Sequence, residues 1–333
     1  MNLPPWLRLL LWPLSVVYGD MVRLRARLYA RGTLKAKRLD APVISVGNLT
    51  VGGTGKTPMV IWLAERFLAE GKRVAILSRG YKGSSGTSDE IELMKFRLQD
   101  RVLFGVGPDR YEQGRRLEEK GIDIFLLDDG FQHLQLARDV NILLMDASQP
   151  LHRESMLPAG RLREPVSSME RADLLVVTRT ETSPATQQAI AKLQSYPVFS
   201  AATRLLGFRR LNAGIQLLAP ESIGAGPFYA FCGIGNPLAF FRDLQNWSIP
   251  VTKTSEFPDH HRYDARDVLE LEAVARAAGA KALLTTEKDA QNLTGTTFAE
   301  LPVFIAVIDL ELSNPDAYLS TIRERLQSRS AAA

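Results

Sequence analysis

The 333-residue chain has one cysteine, Cys232. That excludes a disulfide framework and any zinc ribbon built on cysteine pairs. The four histidines (His133, His152, His260 and His261) show no zinc-ligand spacing. No apolar run reaches the ~20 residues that a bilayer-spanning helix needs. There is no internal repeat, and low complexity is confined to the Ser/Ala tail at 328–333. A large charge excess is also missing: 41 basic against 37 acidic residues give a formal charge of +4. So small an excess gives no reason to expect a nucleic-acid partner, its placement mattering more than its total, and no obligate protein partner is evident in the sequence. What is present is a globular balance, 45% apolar and 23% charged, over a length that suggests about two domains.

The basic charge is concentrated near the N-terminus. Residues 21–38 hold seven basic residues and no acid, and the apolar run Leu9–Tyr18 precedes them, with Trp6 and Trp12 nearby. The run lacks the basic leader and small-x-small site of a signal peptide. Val17, Met21, Leu24 and Leu28 recur at i, i+4, i+7 and i+11, and Arg23, Arg27 and Arg31 form a second stripe, so a helix is predicted over this region. An apolar face beside arginines suits a helix lying in the membrane interface, where guanidinium groups can grip anionic headgroups. The alternative is a helix packed on the body of the protein with its arginines exposed.

A strand (Val43–Val46) runs into Gly47-Asn48-Leu49-Thr50-Val51-Gly52-Gly53-Thr54-Gly55-Lys56-Thr57, and Pro58 then opens an apolar helical stretch ending at Gly71. Strand, glycine loop and helix are the setting of a phosphate-binding loop. Thr50 takes the place of the first glycine, but Gly52, Gly53 and Gly55 still let backbone amides turn inward, and the helix N-terminus favours an anion. Lys56 is expected to reach the β- and γ-phosphates of a nucleotide, with the Thr57 hydroxyl on Mg²⁺. The loop has Val51 where the deviant, membrane-recruited ATPases have lysine. The stretch Thr286-Glu287-Lys288-Asp289 misses the K-x-D spacing of guanine readers and reads as a helix cap.

A second strand, residues 124–127, ends in Asp128-Asp129-Gly130, and a carboxylate at that edge is the usual Mg²⁺ partner. Neighbouring aspartates on a strand point to opposite sides, so one of the two is expected to face the metal. Gln132 and His133 continue the loop. Further strands are predicted at 141–146 and 173–178. The alternation implies a parallel, doubly wound sheet. The domain plan is an N-terminal helix (1–38), a P-loop domain (39–197), a two-stranded linker turning about Gly207 (198–226) and a second α/β domain (227–333).

These residues resemble the tetraacyldisaccharide 4'-kinase family of lipid A biosynthesis. The resemblance covers nearly the whole chain. It rests on Val46–Thr50 leading into Gly52–Thr57, on Ser78-Arg79-Gly80-Tyr81 and on Asp128–His133. It continues through Leu157-Pro158-Ala159-Gly160-Arg161-Leu162-Arg163-Glu164-Pro165, Asp259-His260 and Thr286–Ala290. One segment departs: the family usually reads Gly-Asp-Glu-Pro where this chain has Ser88-Asp89-Glu90-Ile91, after a short glycine-rich stretch at 80–88.

The resemblance implies ATP- and Mg²⁺-dependent phosphorylation of the 4'-hydroxyl of an acylated glucosamine disaccharide 1-phosphate. It also implies two α/β domains with a two-stranded linker, and peripheral attachment to the cytoplasmic face of the inner membrane. By the same resemblance Asp89 is the base, supported by His260, and Lys56 with the loop 50–57 cradles phosphate. Thr57 with Asp128 or Asp129 would hold Mg²⁺. Arg163 and Glu164 are expected in the same cleft, on phosphate and near the metal, with Arg110 also reaching phosphate. The rival reading is a P-loop ATPase that switches a protein partner at the membrane.

Overall fold

The computed structural model describes residues 4–80, 88–149, 151, 154–182 and 197–330. Tyr81 with the rest of the stretch up to residue 87, and His152, lie outside them. The chain forms two compact units, one of residues 1–86, 98–202 and 310–333, the other of residues 87–97 and 203–309.

Buried β-branched runs build the first unit. Strand β1 (Val43–Asn48) is buried along its whole length, which places it at the centre of a parallel sheet. It pairs with β4 (Ile124–Asp128) on one side and β5 (Val140–Asp146) on the other. The order is β3 (Leu103–Val106), β2 (Val74–Ser78), β4, β1, β5, β6 (Leu174–Thr178) and the start of β7 (Val198–Arg210). Such strands are hydrophobic on both faces because helices cover both. Helix α2 (Lys56–Ala69) begins two residues before Pro58; the proline sits in the first turn, where an amide N–H has no helical partner to lose. Gly47 lets the end of β1 approach the 129–133 loop, since a Cβ there would lie 2.6 Å from Phe131 Cβ.

Two segments fall outside their expected domains. Helix α8 (Pro315–Ser330), expected in the second domain, belongs to the first unit. Its Tyr318 is fully buried, edge-on to Trp62 at 5.8 Å and Phe199 at 5.1 Å. Helix α3 (Asp89–Leu98), expected in the P-loop domain, places residues 89–97 in the second unit.

The second unit holds β8 (Phe228–Cys232) between β10 (Ala282–Thr286) and β9 (Val251–Glu256), all parallel, with β10 also paired to β11 (Val303–Leu312). Helices α5 (Pro237–Asn246) and α6 (Ala265–Ala277) and the short α7 (Glu287–Asn292) complete it. Aromatic edges fill one face: Phe231 meets Tyr263 at 5.4 Å, and Phe257 stacks on His261 at 4.7 Å. Burial pushes the Cys232 thiol far above its usual range, so it is a packing residue rather than a nucleophile.

Two strands, β7 and β11, carry the chain from one unit to the other, and their pairing differs from the sequence reading. Strand β7 runs unbroken through Gly207, and its neighbour is β11. The Leu211 N–H donates to Val303 O (2.9 Å) and the Ser313 N–H to Ser200 O (3.0 Å), so the two strands run in opposite senses. The 211–218 stretch contributes only the bridge between Leu218 and Phe208.

Helix α1 (Pro5–Ala30) lies on the first unit through its small side. Ser15 and Gly19 are its buried residues. The Ser15 hydroxyl accepts from the Ala159 N–H at 2.9 Å, and the Tyr18 hydroxyl donates to Arg163 O at 3.0 Å. Its large apolar residues face the other way: Trp6, Leu9, Leu10, Trp12, Val17 and Met21 are each 58% exposed or more. The helix packs on the body, as the alternative reading expected, and the face left open is apolar as well as basic. Among the described residues no helix is long and apolar enough to cross a membrane.

Candidate active site

The loop after β1 is shaped by its glycines. Gly52 (φ +116°) and Gly55 (φ +86°) take backbone conformations that suit glycine. Gly55 caps α2, so the amides of the first turn point out of the helix end, where an anion is favoured. Lys56 is the first residue of that helix. Its ammonium donates to Asn48 Oδ1 at 3.2 Å and lies 3.6 Å from Asp129 Oδ1. The loop is braced from outside: Thr178 Oγ1 donates to Thr54 O at 3.1 Å, and the Val51 N–H donates to Arg161 O at 2.9 Å. Thr50 is buried and bridged to Leu162. Val51 was expected in the phosphate cradle, but its amide is used by this brace and is not available to an anion. Gly53 has open space where a Cβ would stand, and the Thr54 hydroxyl is buried with no partner among the described residues.

The aspartate pair diverges because the strand ends between its two members, not through strand alternation. Asp128 ends β4, buried, and accepts from the Ser78 hydroxyl at 3.2 Å. Asp129 has left the strand (φ +48°), and both its oxygens accept from Arg163, at 2.9 and 2.6 Å. Burial opposes its charge, but Lys56 and Arg163 hold its carboxyl below the usual range. Thr57 and Asp128 offer oxygen donors only, a set that fits Mg²⁺.

Arg163 therefore sits on Asp129. Glu164 is buried and paired with Arg171 Nη2 at 2.5 Å, which makes it a loop anchor rather than an open ligand. Arg110 is buried with its Nε unpartnered among the described residues; burial draws its pKa down while Asp129 and Asp128 oppose that. Gln132 donates from Nε2 to Asn48 O at 2.9 Å, and its backbone carbonyl accepts from Arg25 at 3.2 Å. Burial and the nearby Arg110 lower the His133 pKa to about 4, so its imidazole is neutral at pH 7.

In the second unit the His260 Nδ1–H donates to Asp89, at 2.8 and 3.0 Å to the two oxygens. Asp89 is buried at the start of α3, and His260 is held with φ +62°. Its amide N–H donates to Gly233 O, while the Gly233 N–H donates to the fully buried Asp289. Thr286 caps α7, its Oγ1 accepting from the Asp289 N–H, as the sequence suggested. Burial would raise the Asp89 carboxyl, but the His260 hydrogen bond, with Lys288 adding to it, holds it well below the carboxylate range. The same bond raises His260.

A depressed Asp89 stabilises the fold above about pH 4 and loses that contribution as pH falls. A raised His260 stabilises below about pH 6.5 and loses its contribution as pH rises through the folded pKa. His260→Ala should therefore cost most stability between about pH 4 and 6.5 and progressively less toward pH 9, which paired urea titrations would read. A cost that grew with pH would contradict an imidazolium–carboxylate bond.

A model of the family LpxK, tetraacyldisaccharide-1-P 4'-kinase, matches residues 7–327. The chain belongs to the tetraacyldisaccharide-1-P 4'-kinase family. Among its relatives, the tetraacyldisaccharide 4'-kinase of Geobacter metallireducens is 42% identical over 92% of this chain and 94% of that protein. That of Parvibaculum lavamentivorans is 36% identical over 88% and 84%. A crystal structure described as an apo-form LpxK from Aquifex aeolicus in complex with ATP superposes with a TM-score of 0.77 and 33% identity, covering 96% of this chain and 99% of that one.

In this member of the LpxK family, sequence reasoning passed over four residues that support the site. Asn48, quoted in the motif but given no role, anchors Lys56; its place at the end of β1, facing the loop, was the available signal. Ser78 holds Asp128, and Thr178 braces the loop from β6. Lys288 lies beside Asp89 and His260, although its motif had been read only as a cap.

Proposed function

We propose that this family member transfers the γ-phosphoryl group of ATP to the 4'-hydroxyl of a tetraacyldisaccharide 1-phosphate. The family match over residues 7–327, with Lys56, Thr57, Asp128, Asp129, Asp89 and His260 all intact, carries this reading. The amides of Gly52–Thr57 and the Lys56 ammonium hold the phosphates and offset charge on the transferring group. Asn48 and Asp129 aim that ammonium. Thr57 and Asp128 would hold Mg²⁺, which when bound neutralises phosphate charge. The 4'-oxygen bonds to the γ-phosphorus as the β–γ bridging bond breaks. Its proton passes to the Asp89–His260 pair, and ADP leaves.

Incubation with γ-labelled ATP and an acylated disaccharide 1-phosphate tests this directly, with mass analysis of the lipid. One added phosphate at the 4' position is expected. Label released only as inorganic phosphate would favour a protein-switching ATPase instead.

The exposed apolar face of α1 and its arginines support peripheral attachment, at the cytoplasmic face where ATP is available. Buried apolar area and attraction to anionic lipid would both contribute, the latter about 1 kcal/mol per basic residue and weakened by salt. High salt should then release only part of the protein from vesicles containing anionic lipid, whereas deletion of residues 1–38 should release nearly all. Undiminished co-sedimentation after the deletion would refute attachment through α1.

A further inference from the structure

Three carboxylates and one ammonium meet beside the His260 imidazole, all within the second unit. Lys288 Nζ lies 3.1 Å from Glu90 Oε1, 3.1 Å from Asp259 Oδ1 and 3.6 Å from Asp89 Oδ2. It is 3.5 Å from His260 Nε2. Asp89, Glu90 and His260 have the mutual spacing of a metal-ligand set, but the ammonium already stands against all three. The cluster carries its own cation.

We propose that Lys288 is a positioning residue for the reaction: its ammonium shifts the Asp89–His260 pair toward the proton-accepting form, carboxylate ionised and imidazole neutral, against the pull of the surrounding carboxylates toward imidazolium. This rests on reading that pair as the proton acceptor.

The two faces of the imidazole have opposite surroundings. Nδ1 faces the Asp89 carboxylate, so it carries the hydrogen. Nε2 faces Lys288, and an ammonium has donors only, so it favours an unprotonated Nε2. Asp259 at 3.7 Å and Glu90 at 3.9 Å pull the other way and favour imidazolium. Lys288 offsets them while also adding to the forces that hold Asp89 ionised, alongside Asn292, whose Nδ2 lies 3.4 Å from Asp89 Oδ2. The other acids of α7 are engaged elsewhere: Glu287 with Arg97, and Asp289 with Thr286, Gly233 and Tyr263. Burial opposes the charge on Lys288, yet Glu90, Asp89 and Asp259 hold it protonated well above its usual range. The cation is therefore permanent over the pH range in which histidine titrates.

The test follows His260 by NMR in histidine-labelled full-length protein, with His260→Gln to assign the signal, beside kcat/KM against pH. In Lys288→Met the His260 pKa should rise by about one unit, the lower end of what a neighbouring charge does. The acidic limb of kcat/KM should move with it, so that activity falls about tenfold near pH 6 and recovers toward pH 9. Lys288→Arg should leave both near wild type. The double variant Glu90→Gln/Lys288→Met removes one charge of each sign and should bring the His260 pKa most of the way back, which keeps the test available if the single variant folds poorly.

An unchanged His260 titration in Lys288→Met, with activity lost equally at every pH, would overturn the proposal and leave a merely structural lysine. If instead Asp89→Ala kept its turnover while His260 still shifted in Lys288→Met, the base reading would fall and the charge role of Lys288 would stand.

Discussion

Lys56→Ala should lower kcat by at least 10²- to 10³-fold, the usual cost of removing one preorganised charge or donor from a transition state. The side chain is well placed for so large an effect. It is 15% exposed, its ammonium is aimed by Asn48 and Asp129, and it leaves the first residue of a helix whose N-terminus already favours anions. Alanine keeps the helix and removes a cation from its positive end, where a cation is unfavourable. Stability should therefore change by less than about 1 kcal/mol. That separates the chemical effect from a folding defect: urea midpoints should coincide while single-turnover rates part. Lys56→Arg should recover little, because a planar fork cannot take the place of a compact ammonium. A Lys56→Ala enzyme that kept more than about half of wild-type turnover would remove the loop from the mechanism.

The second large effect is expected from Asp89 and His260. Alanine at either position should cost about 10²- to 10⁴-fold in turnover, the range for a positioned general base. Nucleotide binding should persist in both, because neither belongs to the loop 52–57. The double variant should lose little more than the worse single one, since groups that act as one unit are strongly non-additive. Stopped-flow nucleotide binding and steady-state rates on the three variants would read this. Losses that multiply would show two independent roles. Near-normal turnover of Asp89→Ala would move the base elsewhere, first to Glu90, which lies on the same turn of α3.

Much of the phosphate-binding half was legible because its signals are local. A β-branched run, three glycines, Lys-Thr and a following amphipathic stretch must lie close in space whatever the rest of the chain does, and so must Asp128 at the end of its strand. The Asp89–His260 bond spans 171 residues. Periodicity and spacing could not pair these residues, and only the family resemblance brought them together. The allocation of α3 and α8 was not legible at all. An amphipathic helix announces that it has a buried face, not which sheet buries it. Tyr318 reads equally well as a core residue of either unit until Trp62 and Phe199 are seen against it.

Helix α1 shows a different limit. Hydrophobic periodicity picked out Val17, Met21 and Leu24, which the structure leaves exposed. The docked side is Ser15 and Gly19, residues too small to register on such a scale, which let the backbone come close enough for hydrogen bonds. Lys288 escaped for a third reason. Its stretch, Thr286–Asp289, misses the guanine-reading spacing and is explained locally by a helix cap, so nothing in it points to partners distant in the chain.

The docking of α1 makes its deletion a compound experiment. The helix that would meet the bilayer also donates, through Tyr18, to the carbonyl of Arg163, the residue whose guanidinium grips Asp129 beside Lys56. Removing residues 1–38 strips that donor along with the anchor, so slow turnover on detergent-dispersed lipid would report a loosened guanidinium, with no bilayer involved. Substituting the outward residues alone, such as Trp6, Leu9, Leu10 and Trp12, leaves Ser15 and Tyr18 in place. The two faces of one helix can thus be dissected separately, the outer one by recruitment to vesicles and the inner one by the chemical step.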